Sequence, residues 1–144
     1  MNKEYAMMNR NIYVSSLDYS RLQDLVIAAK QFAPSDTELS NLLESELARA
    51  QIVSPEEIPP YVVTMNTCVH LTDLASGEDI KVSLVYPSDV ERHKDNLSIL
   101  TPLGITIFGF SVGDTIQWRS PDGIKQLRIN SIDFQPEATK RYDL

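Results

Sequence analysis

The chain has one cysteine, five glycines, one tryptophan and two histidines in 144 residues, and each scarcity narrows what it can do. A single thiol, Cys68, excludes an internal disulfide and fits a cytoplasmic location. The few glycines form no phosphate-cradling loop: Gly104 and Gly109 stand alone, with no Lys-Ser/Thr pair after them. The 13 lysines and arginines are scattered without a run, and 20 acids set the formal charge at −7. Binding to a phosphate backbone needs a local basic excess, so direct contact with nucleic acid is disfavoured. The aromatic residues are not interleaved with basic ones, so no stacking surface for single strands is signalled. Long apolar runs are absent too. Leu103 to Val112 is broken by Gly104, Thr106, Gly109 and Ser111 and is too short to span a bilayer. Met1 to Met8 lacks the apolar core of a signal peptide. No membrane association, internal repeat or low-complexity segment is expected.

What is present is ordinary globular material. Hydrophobic residues make up 42% of the chain and charged residues 23%, enough for a packed core in one domain or in a small domain with an appendage. Two helices open it. Ser16 is placed to cap the first, with Asp18 in the first turn facing the positive end of the dipole. Leu22, Leu25, Val26, Ala29 and Phe32 recur at helical spacing as one apolar stripe. Ala33-Pro34 ends the helix, because proline disfavours helical geometry in the residue before it. Ser35-Asp-Thr-Glu38 reads as a capping box opening the second helix, whose stripe is Leu39, Leu42, Leu43, Leu47 and Ala50. Two striped helices joined by about three residues make an antiparallel hairpin, here assigned to residues 1–53. Pro55, Pro59 and Pro60 then mark residues 54–60 as a stiff linker into a second unit, residues 54–144.

The second unit reads as strands. Val63, Met65, Thr67, Val69 and Leu71 alternate with polar neighbours. Ser76-Gly77 turns the chain, and Ile80, Val82, Leu84 and Tyr86 form another alternating strand stopped by Pro87. Ser88 to Asn96 is polar and reads as a surface loop with room for one helical turn. Leu97 to Leu100 is a short strand. Thr101 before Pro102 has the form of an N-cap with proline at the first helical position, opening a short helix that ends near Gly109. After a turn at Gly113-Asp114, Thr115 to Arg119 and Ile124 to Phe134 form a hairpin about Pro121-Asp122-Gly123. The expected class is α+β: a helical hairpin plus a small, mostly antiparallel sheet crossed by one short helix.

Constellations able to carry chemistry are thin. Cys68 and His70 share a strand face, but zinc needs three or four ligands and the only other histidine, His93, lies in the polar loop; a packing role outweighs a metal role. Cys68 has no base placed near it by sequence, which argues against cysteine catalysis. Trp118 lies between Gln117 and Arg119 on an alternating strand, with core packing favoured over an exposed contact. Asp36 and Glu38 sit at the hairpin tip and could hold a Mg²⁺, although capping and dipole pairing explain both. No catalytic residue, metal site or cofactor is assigned.

The stretch from Ser98 to Asp114, with the turn at Ser120-Pro-Asp-Gly123, resembles the C-terminal domain of the Gre transcript-cleavage factors. With Ser54-Pro-Glu-Glu-Ile-Pro59, Val63-Thr-Met-Asn66 and Phe134-Gln-Pro-Glu137 included, the resemblance is closer to the branch of that family named as regulators of nucleoside diphosphate kinase. The resemblance implies a short N-terminal antiparallel coiled coil on a C-terminal domain of FK506-binding-protein-like fold. It implies a non-catalytic partner of bacterial RNA polymerase, a monomer that docks at the rim of the secondary channel on the β′ subunit. The docking loop falls on Leu100, Thr101, Pro102 and Leu103. Thr101 replaces the serine of the family's Ser-Pro pair, and Leu100 stands where Gre factors usually carry a polar residue. Gre arms carry acidic tip residues into the channel to help hold a catalytic Mg²⁺. Ser35 to Gln51 spans only roughly 25 Å at 1.5 Å per residue, markedly less than a Gre arm, so Asp36 and Glu38 fall short of the active centre. The expectation is binding that competes with Gre factors without inducing cleavage, and an indirect effect on the kinase through transcription.

Two other readings stand beside it. The FK506-binding-protein likeness allows a peptide-binding or prolyl isomerase module, which requires Tyr61, Phe108, Phe110, Trp118 and Phe134 to line one open cleft. A partner other than polymerase, bound through the helical hairpin, requires an exposed apolar patch there.

Overall fold

The computed structural model describes residues 12–144; Met1 to Met8, read above for the lack of a signal peptide, lies outside them. The described chain begins with a short strand, β1 (Tyr13–Ser15), followed by α1 (Ser16–Phe32) and α2 (Glu38–Arg49). Strand β2 (Gln51–Val53) then pairs in parallel with β1, Val14 opposite Ile52. The two helices thus form the crossover between two parallel strands, and both ends of the helical pair are held at one place. These strands escape a reading of sequence because three residues carry no usable alternation.

The helix boundaries differ from expectation at both starts. The cap of α1 is Ser15, not Ser16: its Oγ accepts from the Asp18 N–H at 3.0 Å, and its backbone is still extended as the last residue of β1. The expected end is found, with Ala33 closing α1 through a bond from its N–H to the Ala29 carbonyl. The Ser35–Glu38 capping box does not form. Five residues, 33–37, separate the helices; Asp36 N–H bonds the Ala33 carbonyl, so Glu38 becomes the first residue of α2 and Thr37 its cap. Such a reciprocal carboxylate contact occurs instead in the proline-rich segment, where Ser54 N–H and Oγ both donate to Glu57 Oε1 ahead of a 3₁₀ turn, Pro55–Glu57.

Each helix buries one face. Leu22, Val26, Leu43 and Leu47 enter the core, while Lys30 Nζ reaches Glu44 Oε1 at 2.9 Å across the pair. Phe32 departs from its stripe and is 90% exposed, because the last turn of α1 runs past the surface that covers Leu22 and Val26.

The main sheet has the order β5-β4-β3-β7-β6. Its strands are β3 (Cys68–Asp73), β4 (Asp79–Val85), β5 (Asn96–Ser98), β6 (Thr115–Ser120) and β7 (Gly123–Phe134). All pairs are antiparallel except β4 with β5. Register shifts between β3 and β7, at Cys68/Val69 and His70/Leu71, curl the sheet. Pro87–Arg92 forms 3₁₀ turns in the polar segment, and α3 (Pro102–Ile107) is the short helix. Strand β3 starts five residues later than the alternation from Val63 predicts. Thr64 to Thr67 is a turn, closed by Thr64 N–H to Thr67 Oγ1 and Thr67 N–H to the Thr64 carbonyl, with Asn66 at φ 64°. Val63, Thr64, Met65 and Thr67 are all buried, so the alternation there marks neither a strand nor a single buried face.

One continuous apolar cluster joins Leu22, Val26, Leu43 and Leu47 of the helices to Val69, Leu84, Ile105 and Ile129 of the sheet unit. The connection from α3 to the sheet depends on Gly109, at φ +82°, where a Cβ would lie 2.7 Å from Ile12 Cβ. Gly113 also has positive φ, but its missing Cβ points into open space. Gly109→Ala is therefore expected to cost about 1–3 kcal/mol more than Gly113→Ala, since both meet the left-handed penalty and only the first adds a clash. Urea unfolding of the two variants checks the difference, and equal midpoints would remove Ile12 as its cause.

Candidate docking site

The loop Leu100-Thr101-Pro102-Leu103 joins β5 to α3 and is rigid for local reasons. Thr101 is the N-cap of α3: its Oγ1 accepts from the Gly104 N–H at 3.0 Å and donates to the Ser98 carbonyl at 2.7 Å. Ser98 Oγ in turn accepts from the Leu100 N–H. Pro102 occupies the first helical position, where no donor is lost. Gly104 is needed because a Cβ there would strike the Ser98 carbonyl oxygen. The four side chains divide. Pro102 is exposed, Leu100 and Thr101 are half-buried, and Leu103 is 7% exposed within the core. Pro102 and the edge of Leu100 face outward, while Leu103 anchors the loop from beneath.

Leu100 also closes one side of a groove of about 790 Å³. Leu25, Ala28, Ala29 and Phe32 of α1 form one wall, and Tyr86 and Pro87 stand opposite. The sequence reading assigned Phe32 to the core and Tyr86 to a strand, so it did not anticipate this groove. The one available signal was that Phe32 directly precedes the Ala33-Pro34 stop, in the turn of a helix least able to find cover.

Behind the groove lies a polar cluster drawn from four parts of the chain. Asp18 is 2% exposed, and its Oδ1 accepts from the Tyr86 hydroxyl at 3.1 Å. Glu137, in the tail after β7, accepts from Thr64 Oγ1 at 2.8 Å. Burial, and next the charge of Glu137, push the Asp18 carboxyl up to about 7; Tyr86, Arg21 and the backbone at Met65 act in the opposite direction. Burial and the adjacent Asp18 likewise raise Tyr86. Asp18 is in the first turn of α1, as the capping argument placed it, but its side chain is a buried partner of Tyr86 rather than a solvated one. The tail is held by Gln135, whose Nε2 donates to the carbonyls of Pro59 and Val62, each at 2.8 Å.

The remaining candidates separate. Asp36 and Glu38 are both exposed at the turn before α2. Helix α2 has 12 residues, or about 18 Å at 1.5 Å per residue. His70 Nε2 lies 2.8 Å from Asp133 Oδ2 on the neighbouring strand, and Cys68 is a half-buried free thiol. Among the described residues no group of three or more His, Cys, Asp or Glu side chains could hold a metal ion, and no helix is long and apolar enough to cross a membrane. Trp118 is half-buried against the core with Lys125 Nζ 5.8 Å from its ring. Phe108 and Phe110 are buried at 2% and 3%, whereas Tyr61 is 54% exposed. The five aromatics therefore do not line one open cleft, which removes the basis for the peptide-pocket reading.

Comparison with known proteins gives the same result as the fold. Residues 58–134 match the family described as "Transcription elongation factor, GreA/GreB, C-term", and residues 10–53 match "Rnk N-terminus". The chain belongs to this Gre-related family of transcription factors. It is 36% identical over 137 residues to the "Regulator of nucleoside diphosphate kinase" of Escherichia coli K12, covering 94% of this chain and 98% of that one. It is 30% identical over 94 residues to "Transcription elongation factor GreA" of Solidesulfovibrio magneticus, covering 65% of this chain and 57% of that one. Among solved structures, "Prokaryotic transcription elongation factor GreA/GreB from Nitrosomonas europaea" superposes with a TM-score of 0.73 at 42% identity, over 85% of this chain and 99% of that one.

The geometry of Thr101 makes a prediction of its own. Thr101→Ala loses the cap and the bond to Ser98, and should lower stability by about 1 kcal/mol. Thr101→Ser, which keeps the hydroxyl, should stay close to the parent. Equal loss in both variants under urea would assign the effect to the methyl group instead.

Proposed function

We propose that this protein is a non-catalytic regulator of transcription that binds bacterial RNA polymerase near the secondary channel and competes there with Gre-type factors without inducing transcript cleavage. The observation that carries the reading is a docking loop of the family's form beside an arm too short for the family's chemistry. Thr101-Pro102 stands on a rigid, capped turn with Pro102 exposed. The arm is only about 18 Å along α2, and a carboxylate that cannot touch the metal cannot assist it.

In this reading the protein acts as a monomer in the cytoplasm. Residues 1–53 form the antiparallel arm and residues 54–144 the unit that docks on the β′ subunit, with 54–60 as the boundary. Leu100, Thr101, Pro102 and Leu103 form the docking loop, with Leu103 supporting it from the core. Asp36 and Glu38 mark the tip of the arm. Any effect on nucleoside diphosphate kinase, the activity named for the Escherichia coli relative, follows indirectly from altered transcription.

Binding of labelled protein to bacterial core polymerase, with unlabelled Gre factor as competitor, tests this. Displaceable binding is expected, weakened at least tenfold by Pro102→Glu, the scale expected when a charge is forced into a protein contact. The double variant Asp36→Asn, Glu38→Gln should bind like the parent, and neither protein should stimulate cleavage of backtracked RNA. Absence of binding, or cleavage that depends on Asp36 and Glu38, would overturn the proposal.

A further inference from the structure

The groove beside Leu100 has walls from two different parts of the molecule. One wall is α1, and the other is the end of β4 with the residues that follow it. Two side chains of α1 bond Tyr86 across the groove: the Tyr86 hydroxyl donates to Asp18 Oδ1, and Arg21 also hydrogen-bonds it. Asp18 is nine-tenths or more buried, in the first turn of α1, where Ser15 Oγ takes its backbone N–H. The ionisable groups that face it are Arg21 from its own helix, Tyr86 from the end of β4 and Glu137 from the tail, with the backbone at Met65 contributed by the Thr64–Thr67 turn. Glu137 is fixed by Thr64. Asp18 is therefore a buried carboxyl group beside a half-buried one, Glu137, and Arg21 is the cation that acts on it.

Those surroundings treat the two protonation states of Asp18 differently. Neutral Asp18 sits beside Glu137 without repulsion and at little desolvation cost. Charged Asp18 places its charge in a buried position facing Glu137. The Tyr86 hydroxyl donates to Asp18 in either state and favours the charged one, but burial outweighs it. The cost of ionisation falls at the base of α1, where Asp18 is buried.

We propose that Asp18, buried where α1 meets Tyr86, is a proton-linked joint that holds α1 against the body, so that loss of its proton loosens the base of α1 and widens the groove beside Leu100. The direction follows from the ionisation of Asp18, which the fold raises from an ordinary 3.8 to about 7. Folded protein binds more protons than unfolded protein between those values, so the stabilising contribution is complete below about 3.8 and is lost as pH rises through about 7. The joint is therefore closed in mildly acidic solution and looser above neutrality. The two histidines lie away from this cluster: His70 pairs with Asp133 on the sheet and His93 with Asp95 in the following turn.

The test is a pH series by NMR on the full chain from about 5 to 8.5, a window that brackets the groups concerned. It follows the Asp18 side-chain carboxyl carbon, the backbone amides of Leu25, Ala28 and Leu100, and amide exchange along α1, corrected for the intrinsic rate. In the parent, the Asp18 carboxyl and the groove amides should share a midpoint near 7, and α1 should lose protection above it while β3 and β7 keep theirs. Glu137→Gln should lower that midpoint, since the repelling charge is gone. Asp18→Asn should abolish the titration of the groove amides. An Asp18 midpoint in the ordinary carboxylate range overturns the proposal. So does equal loss of protection in α1 and the sheet, or a groove titration that survives Asp18→Asn and therefore belongs to another group. If Asp18→Asn does not fold, the parent midpoint and its shift in Glu137→Gln still decide the matter.

Discussion

The position of the helical pair depends on one pairing, β1 with β2. Parallel neighbours cannot be joined by a tight turn, so the chain must travel out and back between Ser15 and Gln51, and α1 and α2 are that excursion. The ribbon determines where α1 begins. From that start, Leu22 and Val26 reach the core while Leu25, Ala28 and Phe32 face the groove beside Leu100. A helical pair attached by a single flexible strand would not place a wall against the Leu100–Leu103 loop with any fixed spacing.

The loop from Leu100 to Leu103 is held from several directions at once. Thr101 satisfies one orphan donor, the Gly104 N–H, at the start of a six-residue helix, Ser98 holds the backbone just before it, and Leu103 is buried beneath. A helix this short has little stability of its own, and its order comes from the cap and from burial. This rigidity is what a presenting surface needs, because a preordered loop loses less entropy on binding. The same loop therefore serves the core through Leu103 and solvent through Pro102, a division that sequence spacing does not reveal.

The two halves differ in how they meet water. The sheet unit covers its apolar faces with α3 and with the helical pair, and its glycine-dependent turn at Gly109 packs directly on Ile12. The helical pair covers itself only near the body, so Phe32 and Ile27 remain exposed toward the far end. An arm of this kind offers exposed contact area, on a chain whose sheet unit matches a family described as a transcription elongation factor.

Much of this was legible in the order of residues, and the rest was not. The α+β class, the two helical stripes, the stop at Ala33-Pro34, the Thr101-Pro102 cap and the turn leading into Ile124 to Phe134 are all local. Each rests on geometry within a few residues, so sequence alone determined them. Three features misled or escaped that reading because they depend on partners far along the chain. The alternation from Val63 predicts a strand, but a turn between Thr64 and Thr67 takes the backbone out of the sheet and buries Thr64 along with its neighbours. The strands β1 and β2 exist only because residues 13–15 and 51–53 are brought together. Asp18 looked like a solvated dipole partner until the fold set Tyr86 and Glu137 beside it. Periodicity shows which side of an element is apolar. Only tertiary structure decides which neighbour covers it, and burial next to a like charge is what changes a carboxyl's chemistry.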